Sequence, residues 1–389
     1  MRPSTPLSVS CGLVRRSLPK VAGALGGQAT IGDLCKGRQN NFDLIRFLAA
    51  VAVVFSHAFP LSQGDNNCEP LMILSKGQAT TGVVALATFF IVSGFLITQS
   101  YDRSRDLLVF VKSRFLRIVP GLVMVVLFTA FVLGPWVSSV PPAEYFRDPE
   151  TFGYLKTILL HNSSSHLLPG VFESNPFGRA VNGSIWTLEP EIVFYGVVGI
   201  LGVTGLLRTR VILLVFLAGF SHPWLPLPRW EAMAGLFRFF VVGMALYSFR
   251  DHIPLSWPLA VISVLVLMWG LVSGAFTTLF PLFGGYLVMY FALSPGIRLS
   301  GFSRIGDFSY GMYVSAFPIQ QTVVQLHGGK IDPLDNFVLS LPFVLMYGAL
   351  SWHFLEKRAL RLKTVPLLRS RRGWLQAKVV RMWGRVLWI

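Results

Sequence analysis

Ten stretches of mostly apolar residues run along the chain, at about 42–61, 81–100, 115–138, 185–206, 210–225, 233–250, 256–275, 277–294, 308–327 and 336–356. Most approach the roughly twenty residues that a helix needs to cross a hydrocarbon core of about 30 Å. The fifth is short and ends at the Pro-rich "SHPWLPLPRW". A further stretch, "FGYLKTILL", is too short to span and is expected to lie at an interface or to re-enter the bundle. The pattern predicts an all-α fold: a polytopic integral membrane bundle of about ten transmembrane helices.

The charged residues between the runs orient them. Arg103, Arg105, Lys112 and Arg114 lie between the second and third runs, Arg208 and Arg210 between the fourth and fifth, Arg250 after the sixth, and Arg298 and Arg304 after the eighth. From Lys357 to Arg385 ten basic residues follow with no acid among them. Every second connection is basic, so the positive-inside rule places both termini in the cytoplasm and the long 139–184 connection outside. Residues 1–40 contain no apolar run of signal-peptide length and are expected to form a disordered cytoplasmic extension. Residues 41–360 then make the membrane domain and 361–389 a basic cytoplasmic tail.

Composition agrees with a membrane protein. Of 389 residues, 53% are hydrophobic and 13% charged, against about 25% charged in soluble domains. The net charge of +16 is accounted for by loops facing anionic lipid. No zinc-finger or basic-zipper spacing occurs, so nucleic acid is not an expected partner. Cys11, Cys35 and Cys68 have no metal-ligand spacing, and neither a metal site nor a structural disulfide is expected.

Ionisable residues inside apolar runs are functional candidates by default. Arg46 and His57 share the first run. Eleven residues bring both side chains to one helical face, about 16 Å apart along the axis, as two stations and not as an ion pair. Snorkelling to lipid phosphate is the ordinary explanation for Arg46, and a single interfacial hydrogen bond that for His57. Histidine also titrates where a general base is useful. Arg114 and Arg117 in "KSRFLRIVPGL" share a face, and two adjacent guanidiniums suit a phosphate; plain membrane anchoring is the competing role. In "NGSIWTLEPEIVFYG", Glu191 begins the fourth run and shares a face with Tyr195. It is expected at the depth of His57, where a carboxylate could orient the imidazole. Satisfaction by the helix macrodipole is the alternative. The Ser-Gly pair in "TFFIVSGFLI" is expected to serve helix packing rather than to react.

In this order the four motifs resemble acyltransferase family 3, the integral-membrane O-acyltransferases, from about Asn40 to Lys363. Arg46 and His57 fit its Arg-ten-residues-His signature, Arg114 and Arg117 its Arg-x-x-Arg pair, and Glu191 its glutamate after Trp-Thr-Leu. "GDFSYGMY" and "SWHFLEKRALRLK" fit its last two helices. Two departures stand out. Ala316 occupies a position that is histidine in many members, and the last helix ends in "EKR" where Glu-Lys-Pro is common. No fused SGNH-type domain is expected.

The resemblance implies transfer of an acyl group, usually acetyl from acetyl-CoA, to a hydroxyl of a cell-surface or lipid-linked carbohydrate such as an exopolysaccharide or lipopolysaccharide. It also implies a multi-pass location in a bacterial inner membrane, contact with membrane lipid and glycan-assembly partners. Arg46, Arg114 and Arg117 are then expected to hold the CoA phosphates. His57 is expected to act as base with Glu191 in support, or alternatively to carry the acyl group covalently. The rival reading is a polytopic transporter or exporter of a glycan or small molecule.

Overall fold

The computed structural model describes residues 29–36, 40–161, 166–220, 231–297 and 305–364. Arg298, Arg304, the "SHPWLPLPRW" segment and the tail beyond Thr364 lie outside the described residues. Among those described, all regular elements are helical, apart from one isolated bridge between Thr30 and Pro254.

Ten helices of twelve or more residues correspond to the ten apolar runs: α1 (Phe42–Gln63), α2 (Thr81–Ser104), α3 (Leu107–Phe128), α4 (Leu188–Val203), α5 (Thr209–Phe220), α6 (Glu231–Ser248), α7 (Trp257–Ser273), α8 (Phe276–Leu293), α9 (Ser309–Leu326) and α10 (Pro333–Leu350). α3 continues through a π-helical turn, Thr129–Leu133, into Gly134–Val137, and α10 continues through another, Ser351–Glu356, into Lys357–Arg361. Six of these, α1, α2, α3, α4, α8 and α10 with their extensions, are long and apolar enough to cross a membrane. α5, at twelve residues, reaches only about 18 Å. α9 carries Gln320, Gln321 and Thr322, all buried within the protein. The chain is a polytopic, all-helical membrane bundle.

Local chemistry sets the helix ends. Thr80 caps α2 by accepting from the Val83 amide, and Asp106 caps α3 by accepting from those of Leu108 and Val109. These satisfy donors that have no intrahelical partner. Gly64 and Gly274 take left-handed φ values of 90° and 84° at the ends of α1 and α7, a conformation with little cost only for glycine.

The bundle closes around α2, which packs on α6, α1 and α4. α2 and α6 meet at Gly94 and Gly243, where the backbones approach so closely that a Cβ on either would strike the other helix. Small residues permit such approach in a membrane. Residues 29–36, inside the expected extension, dock on the connection between α6 and α7. The Ile31 amide donates to the Ile253 carbonyl, and the Leu255 amide to that of Ala29.

The 139–184 connection is ordered where described. "FGYLKTILL" forms a short helix, Pro149–Gly153, followed by a 3-10 turn, Tyr154–Leu159, packed on α3. The segment from Asn175 to Thr187 then descends along α9. Asn175 donates to the carbonyl of Gln321, Asn182 to that of Val314, and Thr187 shares a hydroxyl hydrogen bond with Tyr313. The contacts move eight residues down α9, roughly 12 Å, before α4 begins.

Candidate active site

Four of the five residues singled out in the sequence, Arg46, Arg114, Arg117 and Glu191, line one cavity of about 120 Å³ enclosed by α1, α2, α3, α4 and α9. Ser93, Thr187, Tyr195, Ser309, Tyr310 and Tyr313 complete its polar lining.

At its inner end, Asp307, on the connection before α9, accepts from Arg46 at 2.6 Å and from Arg117 at 2.5 Å. The Ser309 hydroxyl donates to the other carboxylate oxygen at 2.5 Å. Arg117 also lies 3.6 Å from Glu356, and Arg46 3.6 Å from Asp43. Glu356 is in turn held by the Ser351 hydroxyl at 2.7 Å. Asp307 is 8% exposed and Glu356 1%, so this is a buried ion network. It joins α1, α3, the start of α9 and the π-helical turn after α10. Burial alone would raise the Asp307 carboxyl; the Arg117 and Arg46 guanidiniums outweigh it and hold it down at about 2, so the group stays ionised at physiological pH. Asp307 and Glu356 are central here but escaped the sequence reading. Their only signal was membership of the "GDFSYGMY" and "SWHFLEKR" segments.

Arg114 is treated differently. Its Nε donates to the Ser113 hydroxyl at 3.2 Å and its guanidinium lies 5.9 Å from the centre of the Tyr195 ring. It forms no ion pair with a carboxylate among the described residues, and it lines the cavity. Beside it, the Tyr195 hydroxyl donates to Glu191, and Ser93 donates to the same oxygen at 3.4 Å. The Ser-Gly pair of α2 thus divides its roles: Gly94 meets α6 and Ser93 faces the cavity.

His57 does not line this cavity. α1 is unbroken between Arg46 and His57, which puts them about 16 Å apart along the axis. The imidazole packs edge-on against Phe317 of α9, with centroids 5.7 Å apart. Phe317 also meets Phe177 at 5.7 Å, and Gly183 lies against its ring. His57 Nδ1 is buried with no hydrogen-bond partner among the described residues.

The expected pairing of Glu191 with His57 is therefore not formed: Glu191 bonds Tyr195 and Ser93, and His57 Nδ1 has no hydrogen-bond partner among the described residues. The cause is the descent of residues 175–187 along α9. α4 starts inside the bundle, and this carries Glu191 to the level of Arg114. His57 contacts Phe317, a full turn above Tyr313, on which the start of α4 rests.

Comparisons with known proteins bear on the same residues. The family model described as an acyltransferase domain matches residues 39–353, which include all five candidate residues. The chain is 30% identical over 352 residues to an O-acetyl transferase of Shigella phage Sf6, covering 83% of this chain and 96% of that protein. It is 31% identical over 169 residues to nodulation protein 10 of Rhizobium leguminosarum bv. viciae, covering 41% and 43% of the two chains. No solved structure matches it significantly. With the family model spanning the membrane domain and the cavity built from its motifs, the chain belongs to acyltransferase family 3 and is an integral-membrane O-acyltransferase.

Proposed function

We propose that the protein transfers an acetyl group from acetyl-CoA to a hydroxyl of a cell-surface or lipid-linked carbohydrate, in a bacterial inner membrane with both chain termini cytoplasmic. The single observation that carries the reading is a guanidinium that lines the cavity outside any ion pair among the described residues, Arg114, together with an imidazole whose buried Nδ1 has no partner among them, His57, at two levels of one bundle. Acyl transfer from a thioester needs a site for an anionic donor and a base for the acceptor proton. The two levels supply one each. The name of the phage relative supports acetyl as the group and oxygen as the atom acylated. The alternating basic connections support the orientation.

In this scheme the donor approaches from the end carrying Arg46, Arg114 and Arg117. Arg46 and Arg117 shape the inner wall through Asp307, and Arg114 contacts the donor directly. The pantetheine arm lies in the cavity, past Ser93, Glu191 and Tyr195, with the thioester directed towards His57. The acceptor hydroxyl approaches from the opposite side. His57 takes its proton as the oxygen attacks the thioester carbon, and CoA leaves as the thiolate. Glu191 is a positioning residue that fixes Tyr195 beside Arg114. The covalent variant, with His57 itself acylated, makes the same demands of the cavity.

Purified protein incubated with radiolabelled acetyl-CoA and a surface-glycan extract tests the reading. Label is expected in alkali-labile linkage to glycan. Absence of label from glycan together with intact acetyl-CoA would reject it.

A further inference from the structure

A second polar cavity of about 290 Å³ lies at the inner end of α2. Gln99, Ser100 and Arg103 from the last turns of α2 form one side, Ser113 of α3 a second, and Lys363 the third. Arg103 and Lys363 make no ion pair with a carboxylate among the described residues. The neighbouring acids are engaged elsewhere: Asp102 accepts from the Tyr247 hydroxyl at 2.8 Å and lies 3.5 Å from Arg105, and Asp106 caps α3. Burial lowers the Lys363 ammonium and the nearby Arg114 charge lowers it further. Cations thus converge here with no acid between them, an arrangement that an anion would relieve.

This cavity adjoins the candidate active site. Leu96 lines both, and Ser113, which lines the polar cavity, accepts from Arg114 of the active-site cavity. Arg46 and Arg117, by contrast, are already neutralised by Asp307 and Glu356. A thioester donor with a phosphorylated nucleotide at one end and a thin arm at the other matches the sequence of environments: cationic and polar at Arg103 and Lys363, then Arg114, then the narrow cavity beside Glu191.

We propose that Arg103 and Lys363, with Arg114 behind them, form the phosphate subsite for the nucleotide end of the acyl donor. The inference rests on the reading of acyl-CoA as donor. It reassigns phosphate binding from Arg46 and Arg117, which hold the bundle together, to two cations at its rim. No covalent step is added.

The full chain in detergent micelles carries the test, with Arg103→Gln and Lys363→Gln made singly and together. Both side chains lie at the rim, and an unchanged melting temperature checks the fold. Steady-state kinetics are measured with acetyl-CoA and with S-acetylpantetheine, which lacks the phosphates. The double variant is expected to raise the KM for acetyl-CoA about tenfold or more, from the worth of charge-assisted contacts, with kcat retained. Turnover of S-acetylpantetheine should match the parent. Parental KM for acetyl-CoA in the double variant would overturn the subsite while leaving the donor intact. Equal loss with both donors would also overturn it, by showing a general structural effect. A parent protein that neither binds CoA nor uses acetyl-CoA would instead overturn the donor reading and the subsite with it.

Discussion

The two ends of α1 treat their ionisable groups in opposite ways. At Arg46 the buried charges form a closed network: Asp307 accepts from Arg46 and Arg117 together, and Glu356 and Asp43 stand behind them. At His57, about three turns away, an imidazole nitrogen is buried, its ring against Phe317, with no partner among the described residues. Buried charges are tolerated where they are paired, and the paired end joins elements far apart in sequence. An unsatisfied buried polar atom costs about 1–3 kcal/mol. That His57 stands unsatisfied is what a group kept available for a ligand proton requires. In the proposed mechanism the paired end is the structural one and the unpaired end the chemical one.

The strongest test of the contrast is at His57. His57→Ala is expected to lower acyl transfer by about 10²- to 10⁴-fold, the usual worth of a positioned base. Any fall in melting temperature should be limited to the lost ring contact with Phe317, because His57 Nδ1 has no hydrogen bond among the described residues to be lost with it. His57→Gln, which bonds hydrogen but cannot take the proton, should be as inactive. Near-parental turnover of the Gln variant would remove His57 as base and leave Glu191 the next candidate.

Asp307→Asn probes the other end. It leaves Arg46 and Arg117 buried together without their shared carboxylate, a loss of about 3–5 kcal/mol for a broken buried pair. Thermal unfolding in detergent should show a large drop, or the variant should fail to accumulate. A variant as stable as the parent would mean that the network does not hold the bundle together. The carboxyl sits at about 2, below its ordinary value. Its contribution is therefore complete above the unfolded carboxylate range and is lost only as pH falls through 2. Stability in the neutral range should show no dependence on this group.

Gly94→Ala and Ser93→Ala separate the two roles of adjacent residues. A methyl at Gly94 meets the backbone of α6, and such overpacking should cost about 1–3 kcal/mol. Ser93→Ala should change stability by less than about 1 kcal/mol, because its bonds to Glu191 and Tyr195, at 3.4 and 3.5 Å, are long. Its effect should be confined to kinetics. A Ser93→Ala variant destabilised as much as Gly94→Ala would return the pair to packing alone.

Glu191→Gln gives the smallest expected shift. With His57 as base, acyl transfer rises with pH through a single titration step; because Glu191 bonds Tyr195 and Ser93 and not His57, that step should stay where it is in the parent while turnover falls. Movement of that step with the substitution would restore the pairing of Glu191 with His57 that the sequence suggested.

The ten apolar runs each became a helix because hydrophobic length and capping residues act locally: Asp106 and Thr80 cap the helices they precede. The Arg46–His57 spacing could be read from the chain because an unbroken helix converts residue number into depth. The grouping of Arg114 with Arg117 followed from the same periodicity, and so did that of Glu191 with Tyr195.

Three features needed the folded chain. The depth of Glu191 depends on residues 175–187 running down α9, and nothing in "NGSIWTLEPE" tells whether a helix starts at the membrane surface or within the bundle. The division of the arginines, two bound to Asp307 and one open to the cavity, depends on a partner 190 residues from Arg117. The convergence of Arg103 with Lys363 joins α2 to the end of α10. Periodicity reports which residues share a face. Which faces meet, and at what depth, is set by packing between segments distant in the chain, and that information exists only in the tertiary structure.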